Sequence, residues 1–209
     1  KILNSWKDWD SSLDFLLFAK CRSGKSVMVL SAIDKLENVK VSAVLSRFNS
    51  PKKSWINDSE SFKNFENIIA IDTKINGWEN QYELWSKTDK KILLVGTIQG
   101  FKKIKNLPID LVVYDEAHVG YNASDWKRIN KKLNCPVIYV SGTAYKLQDD
   151  FADSMKYVYT YFEEQRDKKL SKRLDAPSVK VMYRKYDTTG GKKYFGQQPD
   201  ALQNIFNVD

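Results

Sequence analysis

Three things are scarce in this 209-residue chain: cysteine, histidine and long apolar runs. Its two cysteines, Cys21 and Cys135, are too few for a disulfide framework, and neither lies in a CxxC or Cys/His cluster. That excludes a structural zinc of the usual kind and favours a reducing setting, the cytoplasm or a host's cytoplasm. The longest apolar stretches run about five to seven residues before a charge or glycine interrupts them, far short of the roughly 20 that a membrane-crossing helix needs. A soluble protein is expected, without a membrane partner. No charged-then-apolar leader opens the chain, which starts at Lys1, so a piece of a longer protein is expected. Negative charge is also in short supply: 34 Lys and Arg face 26 Asp and Glu, a net +8. The excess is spread along the chain and favours an anionic partner, either nucleic acid or nucleotide phosphate.

What is abundant is apolar surface, 42% of residues, enough for one large domain or a domain with a small extension. Short apolar, β-branched runs predict strands near 15–20, 40–48, 68–73, 91–97, 110–115 and 136–141. Amphipathic stretches predict helices near 25–36, 58–66, 79–87, 99–104, 124–133 and 146–156. Strands such as Ile92-Leu93-Leu94-Val95 are almost wholly apolar, as expected where helices cover both faces of a sheet. The fold class is therefore α/β, a doubly wound, mostly parallel sheet whose ligands bind beyond the carboxyl ends of strands. After residue 156 the pattern changes. An aromatic run from Tyr157 to Phe162 precedes a charged, helix-like stretch over 163–174 and a strand-like alternation over 179–183. Residues 1–156 are read as the main domain, and 157–209 as an extension that adds an edge strand or begins a connection to another domain.

Two segments carry chemistry. Ala19-Lys20-Cys21-Arg22-Ser23-Gly24-Lys25-Ser26 fits the phosphate-binding P-loop pattern, with alanine in place of the first glycine. A loop of this kind turns backbone N–H groups around phosphates, and the helix that follows presents its positive N-terminus there. Ala19, Ser23, Gly24, Lys25 and Ser26 are the nucleotide-contact candidates. Gly24 permits close backbone approach, Lys25 reaches the β- and γ-phosphates, and the Ser26 hydroxyl ligates magnesium. The second segment is Asp115-Glu116-Ala117-His118, at the end of the apolar run Leu111-Val112-Val113-Tyr114. Asp115 is expected to hold magnesium, partly through water, and Glu116 to orient and deprotonate the attacking water. The lone histidine, His118, is expected to sense the γ-phosphate. Lys25, Asp115, Glu116 and His118 thus form the catalytic set, with ATP and Mg2+ as cofactors.

Together with Ser141-Gly142-Thr143-Ala144 after the next strand, these motifs make the chain resemble the superfamily two helicases and translocases of the DEAH-box type, over roughly residues 15–145. The resemblance implies the first of two RecA-like domains, moving on DNA or RNA when joined to the second. It also implies that Ser141, Gly142 and Thr143 couple hydrolysis to nucleic-acid contacts. Ser46-Arg47 and Thr97-Ile98-Gln99 occupy strand ends that look like the family's backbone-contacting segments, so Ser46, Arg47, Thr97 and Gln99 are the nucleic-acid candidates. Contacts of that type position a protein without reading sequence. Lys52-Lys53-Ser54-Trp55 and Lys102-Lys103-Ile104-Lys105 add positive charge. The first places beside that charge an aromatic able to stack on a base, although packing explains most tryptophans.

Two departures from the family pattern stand out. Residues 1–14 contain no glutamine for an adenine-recognition motif, and no segment after 145 matches the arginine-finger motif of a second RecA-like domain. The segment over 163–173 resembles that of helicases of phages and restriction systems. Two other readings remain open: a viral DNA-packaging ATPase, which shares the P-loop and the paired carboxylates, and a non-hydrolysing nucleic-acid-binding module with an ATPase fold.

Overall fold

The computed structural model describes residues 13–19, 23–48, 50–119, 124–143 and 147–160, together with 163 and 166. These lie in the first of two units, Lys1–Arg166. The second unit, and with it the expected strand over 179–183, lies outside the described residues. So does the expected helix over 163–174, apart from Glu163 and Arg166, which are helical.

Seven strands form one all-parallel sheet: β1 (Asp14–Ala19), β2 (Val41–Ser46), β3 (Ile68–Asp72), β4 (Lys91–Thr97), β5 (Leu111–Asp115), β6 (Val137–Ser141) and β7 (Lys156–Tyr159). Their order across the sheet is β3-β4-β2-β5-β6-β1-β7. The first six follow the apolar runs of the sequence to within two residues at each end. Every residue of β2, β5 and β6 is buried, because helices lie on both faces and leave no solvated side. β7 stands at the edge beside β1, and all four of its residues are only half-buried.

The two-residue side-chain period of the strands divides the core in two. Phe15 and Leu17 of β1, Val113 of β5 and Ile138 of β6 join Val29, Leu30 and Ile33 of helix α1 (Lys25–Lys35) and Trp55 of helix α2 (Ser50–Ser61). On the opposite face, Leu16, Phe18, Tyr114 and Tyr139 join Trp78 of α3 (Trp78–Ser86) and Trp126 and Ile129 of α4 (Ser124–Leu133). Here the Tyr114 and Trp126 rings stack at 4.4 Å and 6°, a geometry worth about 0.5–1.5 kcal/mol beyond the area buried. The Tyr114 hydroxyl donates to Asn130 Oδ1 at 2.7 Å, and Asn130 Nδ2 donates to the Tyr139 hydroxyl at 3.0 Å, so these buried tyrosine oxygens have partners. Lys91 ends α1 from across the sheet. Its Nζ donates to the carbonyls of Ile33, Asp34 and Leu36 at 2.6, 2.9 and 2.7 Å. The first two of these carbonyls belong to the last turn, where a helix offers no partner of its own.

Three helix expectations change. The helix expected over 58–66 begins earlier, at Ser50, and gives way to a 3₁₀ turn at Lys63–Phe65. Pro51 suits the first turn, where its missing N–H is not needed, but the helix is so polar that its face shows little period. The segment Ile98–Lys103 is 3₁₀, started by Thr97, whose Oγ1 accepts the Gly100 N–H. Over 146–156 there are two short 3₁₀ turns, Gln148–Asp150 and Asp153–Met155, before β7 begins at Lys156.

Candidate functional site

The carboxyl ends of β1, β6 and β5 are neighbours in the sheet, and the two chemical segments leave from the outer pair of these strands. Ala19 ends β1, fully buried. Residues 20–22 lie outside the described residues, and the chain resumes at Ser23. Gly24 sits at the start of α1 in the left-handed region, φ 79°, a conformation that glycine adopts without steric cost. As the cap, Gly24 has no side chain of its own to bond the amides of the first turn of α1. Such a helix start is suited to an anion. Lys25 and Ser26 open the helix.

At the other strand, Asp115 ends β5 buried. Its Oδ2 accepts the Trp55 indole N–H at 2.7 Å, and its Oδ1 accepts the Glu116 N–H at 3.0 Å. Burial raises the Asp115 carboxyl above the ordinary aspartate range, and the Glu116 charge adds to this. The Trp55 and Glu116 N–H bonds and the charge of Lys25 act in the opposite direction.

Glu116 then takes φ 54°, a left-handed conformation costly for a residue with a Cβ. The turn it makes sends the Ala117 N–H to the Val140 carbonyl at 2.9 Å, so the chain crosses onto the end of β6. Ala117 is fully buried at that crossing. His118 is thereby delivered to Ser141: its Nδ1 shares a 2.9 Å hydrogen bond with the Ser141 hydroxyl and lies 3.4 Å from Glu116 Oε2. Ser141 is fully buried, and its oxygen also accepts the Thr143 N–H at 3.1 Å. Gly142 is half-buried and Thr143 exposed, while Ala144 lies outside the described residues.

Helix α2 supplies two residues that do not belong to any recognised motif. Trp55 is almost fully buried, so it does not stack on a base as its lysine-flanked position suggested. Three residues on, and so on the same helix face, Asp58 Oδ2 accepts the Ser26 hydroxyl. One turn of α2 thus touches both Ser26 and Asp115. Apart from its spacing, nothing in the sequence marked Trp-x-x-Asp as part of a site.

The donor chemistry fits magnesium. Ser26 offers a hydroxyl oxygen and Asp115 and Glu116 offer carboxylates, the hard oxygen ligands that Mg2+ takes in ones and twos alongside phosphate. Among the described residues no group of three acidic, histidine or cysteine side chains would hold a metal by itself.

A second feature lies at the ends of β2, β3 and β4, a cleft of about 490 Å³ lined by Arg47, Thr73, Lys74, Thr97, Gln99, Gly100, Lys102 and Lys103. Its four cations are all exposed, and no acidic residue is in the lining. Arg47, Thr97 and Gln99, three of the four nucleic-acid candidates, come together here. Ser46 does not: it is buried, with its Oγ accepting the Phe48 N–H at 3.2 Å. Thr73 and Lys74, which no motif indicated, arrive because β3 lies beside β4 and the Thr73 N–H bonds the Val95 carbonyl at 3.0 Å. The approach requires a glycine at 96, where a Cβ would stand 2.7 Å from Thr73 Oγ1. Arg47 also reaches back to the acidic segment, with its guanidinium 3.4 Å from the Val119 carbonyl.

Among solved structures, the chain is similar to the Sulfolobus solfataricus SWI2/SNF2 ATPase core in complex with dsDNA, at 18% identity and a TM-score of 0.49, over 73% of this chain and 32% of that one. It is also similar to the UvsW helicase from bacteriophage T4, at 21% identity and a TM-score of 0.49, over 68% of this chain and 50% of that one. The chain therefore spans about a third to a half of the length of these relatives. No curated protein sequence matches it. Among the described residues, no helix is long and apolar enough to cross a membrane. The family model of the type III restriction enzyme, res subunit, matches residues 1–146, and with its sheet order, its helix-opening glycine and its buried aspartate the chain belongs to that family as a RecA-like helicase/ATPase-type domain.

Proposed function

We propose that this chain is the ATP-binding first motor domain of a nucleic-acid helicase or translocase, with 19–26 as its P-loop and 115–118 as its DEAH box. The observation that carries this reading is the junction at the ends of β1, β6 and β5, where one turn of α2 touches both Ser26 and Asp115 and His118 is hydrogen-bonded to Ser141. Three segments more than 20 residues apart in sequence meet there, beside a cleft lined by cations. The proposed domain extends over 1–156, with 157–209 as its extension or the start of a connection to a second RecA-like domain, a boundary that falls within β7.

In this reading the amides at the start of α1 and Lys25 hold the triphosphate, while Ser26 and Asp115 hold Mg2+. When bound, Mg2+ neutralises charge on the transferring phosphate. Glu116, half-exposed where Asp115 is buried, accepts the proton of the attacking water. His118 links that position to Ser141, and Arg47 links the following residue, Val119, to the basic cleft. Nucleic-acid backbone lies along Arg47, Lys74, Thr97, Gln99, Lys102 and Lys103. A second RecA-like domain closes the nucleotide site and brings an arginine finger, a contribution of roughly 10³–10⁵ in rate. Alone, the chain binds ATP and hydrolyses it slowly. The engagement of His118 with Ser141 favours this reading over a packaging motor, which requires only the two carboxylates.

The test is ATP turnover by the full-length protein with and without single-stranded DNA, duplex DNA and RNA. Stimulation by at least one of them is expected. Turnover indifferent to all three would overturn the translocase reading.

A further inference from the structure

We infer that Trp55 and Asp58 of α2 are positioning residues for the magnesium-binding pair, with Trp55 fixing Asp115 and Asp58 fixing Ser26. The inference rests on the reading of Ser26 and Asp115 as the residues that hold Mg2+, and adds a helix that no motif assigns to the site.

The geometry gives each residue a distinct task. Asp115 is a buried carboxylate with two oxygens. The Trp55 indole N–H at 2.7 Å takes one, and the backbone N–H of Glu116 at 3.0 Å takes the other. Indole is a donor only, so this bond has one sense, and burial of the ring removes its freedom to reorient. The carboxylate plane is therefore set before any cation arrives, while each oxygen keeps further lone-pair capacity. Ser26 has one hydroxyl proton and two lone pairs. By giving the proton to Asp58, it turns its lone pairs away from that carboxylate, the orientation a metal-ligating hydroxyl needs. Supports of this kind around metal ligands fix ligand orientation and strengthen binding.

The two tasks are coupled by the helix. Trp55 and Asp58 are one turn apart, and Trp55 anchors α2 in the core formed by Phe15, Leu17, Leu30 and Val113. Ser26 and Asp115 lie on segments that no strand pairing joins directly, since β6 lies between β1 and β5. A single rigid turn of α2 therefore spaces them.

The experiment measures ATP binding by the chain with Mg2+ and with EDTA, for the wild type and for Trp55→Phe, Asp58→Ala and Asp58→Asn, each checked by thermal melting. Trp55→Phe keeps an aromatic ring but removes the N–H. It and Asp58→Ala are expected to weaken Mg2+-dependent binding by about 10-fold or more, with binding in EDTA unchanged. Asp58→Asn, whose amide oxygen still accepts the Ser26 proton, is expected to recover most of the loss. Equal losses with and without Mg2+, or no loss in either, would overturn the inference and leave the nucleotide site standing. A wild-type chain that binds no ATP under either condition would overturn the inference and the reading beneath it together.

Discussion

The nucleotide side of the molecule and the basic cleft both lie beyond the carboxyl ends of strands, yet they are built on opposite principles. Around Asp115 the polar groups, of which Asp115, Trp55 and Ser141 are buried, are hydrogen-bonded to one another, through Trp55, Glu116, Ser26 with Asp58, and His118 with Ser141. In the cleft Arg47, Lys74, Lys102 and Lys103 all stand in solvent. A desolvated, pre-oriented carboxylate acts over a short range on one geometry, whereas exposed cations attract a polyanion over roughly a Debye length, about 8–10 Å at ordinary salt, and tolerate many geometries. The first arrangement suits bond-breaking and the second suits holding a strand that must slide. Between them, among the described residues, Arg47 bonds the carbonyl of Val119, the residue after His118, which is itself bonded to Ser141.

The comparison breaks hardest at Glu116. Glu116→Gln removes the proton acceptor and keeps the size, so turnover should fall by about 10²–10⁴-fold while ATP affinity stays within a few-fold. Steady-state turnover beside equilibrium ATP binding separates the two, and a loss of affinity as large as the loss of rate would remove Glu116 from the chemistry. The cleft should respond in the reverse sense. With Arg47, Lys102 and Lys103 all changed to Ala, ATP affinity should hold, nucleic-acid affinity should drop, and the slope of log affinity against log salt should become shallower by roughly 1 for each phosphate that is no longer neutralised. An unchanged slope would mean that phosphates do not occupy the cleft. The smallest change should come from the link between the regions. His118→Ala should leave basal turnover near wild type and reduce its stimulation by nucleic acid several-fold, the scale of a 1–3 kcal/mol coupling. Full stimulation in that variant would make the Ser141 bond purely structural.

The two regions also differ in how far the sequence disclosed them. Leu111-Val112-Val113-Tyr114 before Asp115 could be read as a buried strand because burial on both faces leaves a continuous apolar run, and strand and carboxylate fall where expected. Gly24 was legible from the P-loop pattern, and in the structure it opens the helix in the left-handed region that favours glycine. In the cleft, Arg47, Thr97 and Gln99 were visible as strand-end residues, but Thr73 and Lys74 were not. They join only because β3, third in the chain, pairs with β4 at the sheet's edge. Ser46 shows the converse. Its position beside Arg47 suggested a contact, and the pleat of β2 turned it inward.

The chain's own order of residues determined the strands, the helix that begins with Lys25 and Ser26, and the presence of Asp115 at a strand end with Glu116 and His118 just beyond it. These are consequences of local periodicity and turn chemistry, which act over a few residues. What only the tertiary structure decided is which strand ends meet: β6 between β1 and β5, β3 beside β4, and α2 laid so that Trp55 reaches Asp115, 60 residues away. Helix α2 is polar along most of its length and is held in part by the large apolar surface of Trp55. Its role is set by what that ring packs against, and burial between distant segments leaves no period in the sequence of either one.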